Sequence, residues 1–119
     1  MATNPAPAPV SGLQLHTYSW ETSTVVQCTG RLTLQTAPEL KEHVRNLIPG
    51  AKGIILDMKG VTRLDSAGLG TLVALYVAAR KAKCEFLLAN YNESIRDLLG
   101  ITNLLSVFET AARTGMRIP

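Results

Sequence analysis

Long apolar runs are missing from this chain: nowhere do the roughly eighteen consecutive apolar residues of a membrane-spanning helix occur, so no segment reads as one. Cysteine is scarce. Cys28 and Cys84 stand far apart, each in an apolar stretch, with no CxxC pair or His/Cys spacing for a metal, and are expected as reduced, half-buried thiols. Histidine is limited to His16 and His43, which fall on a predicted strand and helix, and no third group orients either as a base. The position two before Ser66 is Leu64, so the G-x-S-x-G elbow of a serine hydrolase is absent. Gly68-Leu69-Gly70-Thr71 lacks the lysine and the spacing of a phosphate-cradling loop. Aromatics make up 5% of the residues and the net charge of +3 comes from scattered Lys and Arg, a poor match to a nucleic-acid binder. Residues 1–9, rich in Ala and Pro, lack the basic flank and apolar stretch of a secretion signal. Residues 1–11 are expected as a flexible tail ahead of a single domain over 12–119, located in the cytoplasm.

What remains is a patterned α/β chain in which 46% of the residues are hydrophobic and 18% charged, a globular composition. Alternation over 13–18 and the β-branched run over 24–29, separated by the turn at 20–23, predict a hairpin. Thr36 is placed to cap a helix, with Pro38 in its first turn and Leu40, Val44, Leu47 and Ile48 as its apolar stripe. The short run Gly53-Ile54-Ile55-Leu56-Asp57 predicts a central strand, followed by a loop containing Gly60. Ser66 is expected at the N-cap of a long amphipathic helix carrying Leu69, Leu72, Val73 and Tyr76 toward the core. Residues 85–89 predict another strand, and Asn92 caps a short helix ended by Gly100. Val107-Phe108 is a candidate last strand. The order β-β-α-β-α-β-α, with that extra strand, gives an α/β fold: a mixed sheet of four to five strands with helices packed against it.

One segment stands out chemically. Gly68 and Gly70 in the first turn of a helix cost roughly 0.5 to 1 kcal/mol each relative to Ala, so their smallness has to serve something else. Small residues there permit close approach to Ser66, and free N–H groups at the helix start favour an added phosphate. Asp57 and Asp65 are weighed as a Mg²⁺ pair and read instead as turn and cap residues.

Asp65-Ser66-Ala67-Gly68-Leu69-Gly70 resembles the signature of STAS domains, specifically the anti-sigma factor antagonists of bacteria. Gly30-Arg31-Leu32-Thr33-Leu34-Gln35-Thr36-Ala37-Pro38-Glu39-Leu40 resembles the family's other segment, and the likeness runs from about residue 13 to 108. The resemblance implies that Ser66 is phosphorylated by an anti-sigma factor that is itself a serine kinase. It implies that the unmodified form binds that kinase and frees a sigma factor, and that a serine phosphatase restores the switch. The implied partner surface comprises Asp65, Ala67, Gly68, Leu69 and Gly70 with Gly30, Arg31, Thr33 and Thr36. No catalytic residue, cofactor, metal, direct nucleic-acid contact or membrane contact is implied. The second reading keeps the fold and makes the chain a scaffold or regulatory subunit of a transport or signalling complex, without phospho-switching.

Overall fold

A computed structural model describes residues 12–112. The expected tail over 1–11 and the residues after 112 lie outside that range. Strands β1 (Leu13–Trp20) and β2 (Ser23–Leu32) form the expected hairpin, in register from Leu13 opposite Gly30 to Trp20 opposite Ser23. The turn between them has only two residues, and Glu21 takes a left-handed conformation there (φ 55°). Helix α1 (Ala37–Leu47) follows with Pro38 in its first turn, and a single 3-10 turn (Ile48–Gly50) closes it. Then come β3 (Gly53–Leu64), α2 (Ser66–Lys81), β4 (Glu85–Ala89), α3 (Glu93–Ile101) and α4 (Leu105–Ala112).

The four strands lie in the order β1-β2-β3-β4, with the first pair antiparallel and the other two pairs parallel. The sheet is therefore mixed, as expected. The core brings Leu40 and Val44 of α1, Leu72 and Leu75 of α2, Ile95 and Leu99 of α3 and Phe108 of α4 onto one set of strand residues. Those are Val26, Cys28, Ile54, Leu56, Phe86 and Leu88, which alternate along their strands with a second buried cluster, Val25, Ile55 and Leu87. Ile54, Ile55 and Leu56 are all buried because β3 is interior to the sheet and both its faces are covered.

Two expectations are corrected. The loop expected at Gly60 is strand: β3 continues to Leu64 and accommodates one extra residue against β2 between Asp57 and Gly60, then another at Thr62. Gly60 fits because the strands come close, a Cβ there lying 2.9 Å from the Thr29 hydroxyl oxygen and 3.0 Å from the Cys28 carbonyl oxygen. Val107 and Phe108 are helical, not a strand, so the sheet has four strands among the described residues. Phe108 is buried edge-on against Tyr76, ring centroids 5.8 Å apart, which fastens α4 to α2.

Candidate functional site

Strand β3 and helix α2 are joined by a single residue, Asp65, whose extended backbone (φ −109°, ψ −174°) makes it the N-cap of α2. Ser66, expected at the cap, is instead the first helical residue. The difference has a chemical consequence, since the capping duty falls on the Asp65 carboxylate and the Ser66 hydroxyl is left over.

That carboxylate reaches in two directions. Its Oδ1 accepts the Gly68 N–H at 2.9 Å, the ordinary cap bond, while Oδ2 accepts the Leu34 N–H at 3.0 Å from the connection between β2 and α1. The Asp65 N–H donates to the Leu32 carbonyl at 3.3 Å, a third tie between the same two segments. The Gly68 amide, helped by those of Leu34 and Ala67 and opposed by partial desolvation, holds the Asp65 carboxyl below the usual carboxylate range. Asp65 is thus ionised and fully engaged at neutral pH.

The β2–α1 connection is built to meet it. Thr36 is almost fully buried (1% exposed) and, contrary to expectation, its side chain does not cap α1. Its hydroxyl accepts the Thr33 N–H at 2.9 Å and donates to the Arg31 carbonyl at 2.7 Å, closing the connection on itself. The Thr33 carbonyl accepts the N–H groups of Thr36 and Ala37 at 3.0 and 2.7 Å. Two residues before β2 ends, Gly30 has φ +117°, and a side chain there would run into the Gly12 carbonyl, whose oxygen accepts the Arg31 N–H at 2.9 Å.

The two glycines of α2 play opposite parts. Gly68 is buried, and a Cβ on it would overlap the Leu32 carbonyl and lie 2.8 Å from the Leu64 side chain. Its smallness admits the chain's own β2 strand, not an outside molecule. Gly70 is exposed with nothing within 4 Å of a Cβ position, so the open face of the first turn is there.

Of the residues the sequence marked, Asp65, Ser66, Ala67, Gly68, Leu69 and Gly70 converge with Arg31, Thr33 and Thr36 at the C-terminal ends of the two interior strands β2 and β3, and Gly30 fixes the approach. Ser66, Gly70 and Arg31 are exposed; Gly68, Leu69 and Thr36 are buried beneath them. Leu34 was not singled out, yet it is 70% exposed beside the site, with its N–H held by Asp65. The available signal was an apolar residue in a connection, belonging to neither a helical nor a strand stripe. Asp57 is elsewhere: buried on β3, its Oδ1 accepts the Lys59 N–H at 3.1 Å and the Asn90 side-chain amide at 3.0 Å. His43 is spent on the Thr17 hydroxyl, 2.7 Å from its Nε2, and His16 leans on Tyr18, so neither joins the site.

The family model for the STAS domain matches residues 16–115, which contain every element from which this site is assembled. The chain belongs to the STAS domain family. Within the family its relatives include the anti-sigma-B factor antagonist of Listeria monocytogenes, 30% identical over 82 residues, covering 67% of this chain and 71% of that protein. This STAS domain has the fold of an anti-sigma factor antagonist from Mycobacterium paratuberculosis, with a TM-score of 0.76 at 20% identity over 90% of this chain and 97% of that one. It also superimposes on the Bacillus cell fate determinant SpoIIAA in its phosphorylated form, with a TM-score of 0.63 at 17% identity over 77% and 84% of the two chains.

Proposed function

We propose that this STAS domain is an anti-sigma factor antagonist and that the phosphorylation state of Ser66 decides whether it binds its partner. In its unmodified form it binds an anti-sigma factor, itself a serine kinase, and so frees a sigma factor. Phosphorylation of Ser66 by that kinase ends binding, and a serine phosphatase reverses it. The chain acts in the cytoplasm as a binding partner and performs no catalysis itself; among the described residues no helix is long and apolar enough to cross a membrane.

The observation that carries the reading is the state of the Ser66 hydroxyl. It is exposed at the first residue of α2, and it hydrogen-bonds to no other described residue because Asp65 performs the capping. A kinase therefore meets a hydroxyl that can accept a phosphoryl group from ATP without breaking a hydrogen bond to any other described residue. The added group brings roughly −1.5 to −2 charges next to the Asp65 carboxylate. The Gly68 and Leu34 N–H groups that could have neutralised it are already given to Asp65. The new charge is left facing outward, where repulsion and desolvation oppose docking of a close-packed partner. Relatives named antagonists, and a protein of this fold whose structure is described in a phosphorylated form, support the same reading.

The test is phosphate transfer and binding with each candidate anti-sigma kinase of the source cell plus ATP. Mass spectrometry is expected to place one phosphate on Ser66, with Ser66→Ala still binding and Ser66→Asp not binding. Failure of every such kinase to label or bind the protein, with both variants behaving as wild type, would favour a scaffold or transport-regulating role instead.

A further inference from the structure

Large apolar side chains left in water are ordinary when scattered and informative when they gather round one site. Among the described residues three are well exposed: Leu34 at 70%, Ile101 at 80% and Val77 at 45%. Two of them flank the end of β3 that leads into Ser66. On the β2 side, Leu34 is tied to that end through its N–H, which donates to the Asp65 carboxylate. On the β4 side, the connection into α3 is tied to β3 by the Asn92 side-chain amide, which donates to the Val61 carbonyl at 3.3 Å. Between the end of β3 and α3 runs a groove lined by the half-buried Leu64 and Leu98 and by Ile101, the last residue of α3. Val77 lies elsewhere on α2, roughly 16 Å along the helix axis from Ser66. Both flanking residues sit on fixed backbone, since Asp65 holds Leu34 and the Thr102 hydroxyl closes the end of α3 on the Leu98 carbonyl at 2.9 Å. Little ordering is then needed when they are covered. Arg63 and Asp97 line the same groove and form no ion pair with each other. One charge of each sign among apolar side chains suits a polypeptide, whereas a nucleic acid or an anionic lipid would be repelled by the Asp97 carboxylate.

We infer that Leu34 and Ile101 are apolar anchors, one on each side of Ser66, for the protein that docks there, and that the groove beside Ile101 receives an apolar side chain of that partner. The inference rests on the antagonist reading and adds the chemistry of the partner. A few well-packed side chains carry most of the energy of an interface, and their contribution is not screened by salt as that of an exposed ion pair is. The placement also bears on the switch. A phosphate on Ser66 stands between the two apolar contacts, so a partner closing over both meets the new charge.

The test measures the affinity of the anti-sigma kinase that binds wild type for Leu34→Ser, Ile101→Ser and Val77→Ser, at low and high salt. Leu34→Ser and Ile101→Ser are each expected to bind on the order of tenfold more weakly, with the gap persisting at high salt, while Val77→Ser stays within about twofold of wild type. Leu34→Met and Ile101→Val, which keep an apolar side chain, should bind as wild type does. The thermal midpoints of the serine variants should not fall, because both side chains stand mostly in solvent, and this separates a lost contact from lost folding. Wild-type affinity in Leu34→Ser or Ile101→Ser, while Ser66→Asp still abolishes binding, overturns the inference and leaves the antagonist reading standing. An equal loss in Val77→Ser, or lowered midpoints in both anchor variants, overturns it as well. If no kinase binds wild type, both readings fall.

Discussion

Asp65 does at one residue what usually takes two: it caps a helix with one carboxylate oxygen and anchors a neighbouring connection with the other. Asn can reproduce the cap but offers only one acceptor oxygen, so Asp65→Asn should keep α2 and release the Leu34 amide. The sign of the pH effect follows from the carboxyl being held below its ordinary value of 3.8. A depressed folded-state value gives stability that is present above the unfolded value and lost as pH falls through the folded one. Wild type should therefore exceed Asp65→Asn in urea midpoint near neutral pH, with the two converging in acid, and an unchanged gap in acid would contradict the assignment. Gly68 and Gly70 give a paired contrast within one helical turn. Gly70→Ala adds a Cβ in open space and should stabilise by about 0.5–1 kcal/mol. Gly68→Ala gains the same helix propensity but drives a Cβ into the Leu32 carbonyl, an overpacking cost of about 1–3 kcal/mol, so it should come out destabilised by urea titration.

At the scale of elements, the β2–α1 connection is held by the buried Thr36 hydroxyl. Thr36→Val keeps the shape and removes that hydroxyl, leaving the Thr33 N–H and the Arg31 carbonyl without their partner, at a cost of about 1–3 kcal/mol. Hydrogen exchange should accelerate at the Thr33 and Leu34 amides, while the amides of β4 stay as protected as in wild type. Thr36 also shows how far the sequence could be read. A Thr before Ala-Pro-Glu announces a helix start correctly, but whether its hydroxyl turns to the helix or back to the strand depends on where β2 ends in space. Asp65 and Ser66 pose the same problem: both are good caps, and the choice between them follows from β3 running on to Leu64, which the Lys59-Gly60 pair concealed. Gly60 reads as a breaker, yet it serves an irregular stretch of strand that passes close to Thr29. Val107-Phe108 failed for the opposite reason: two apolar residues carry no period, and the surface that α4 packs on, the core cluster that takes in Phe108 and the Tyr76 ring, is assembled from parts distant in sequence. The residues of the site were legible because they are contiguous in two short segments; Leu34 was not, because its exposure is a property of the assembled site.

For the whole molecule, the proposed switch demands that a charge be added at one end of the sheet without loosening the rest. The core favours this, since all four α-helices among the described residues contribute to one cluster on the sheet and Ser66 is no member of it. Cys28 offers a reporter for that claim. It is buried inside the cluster, and burial, aided by the nearby Asp57 carboxylate, pushes its thiol up to about 12. With so little thiolate and no access to reagent, the native thiol reacts only when the molecule opens, so the alkylation rate measures the population of opened molecules. The raised value also fixes the sign of the thiol's linkage. Its contribution to stability is complete below the ordinary value of 9.0 and is lost as pH rises through about 12, so labelling is best compared on the neutral side of that window. Ser66→Asp should alkylate at Cys28 as slowly as wild type, because the charge it adds stays at the surface, whereas Gly68→Ala should alkylate faster, about tenfold for each 1.4 kcal/mol of stability it loses. Fast labelling of Ser66→Asp would mean that charge at this end of the sheet opens the core, and a switch by unfolding would then replace a switch by surface charge.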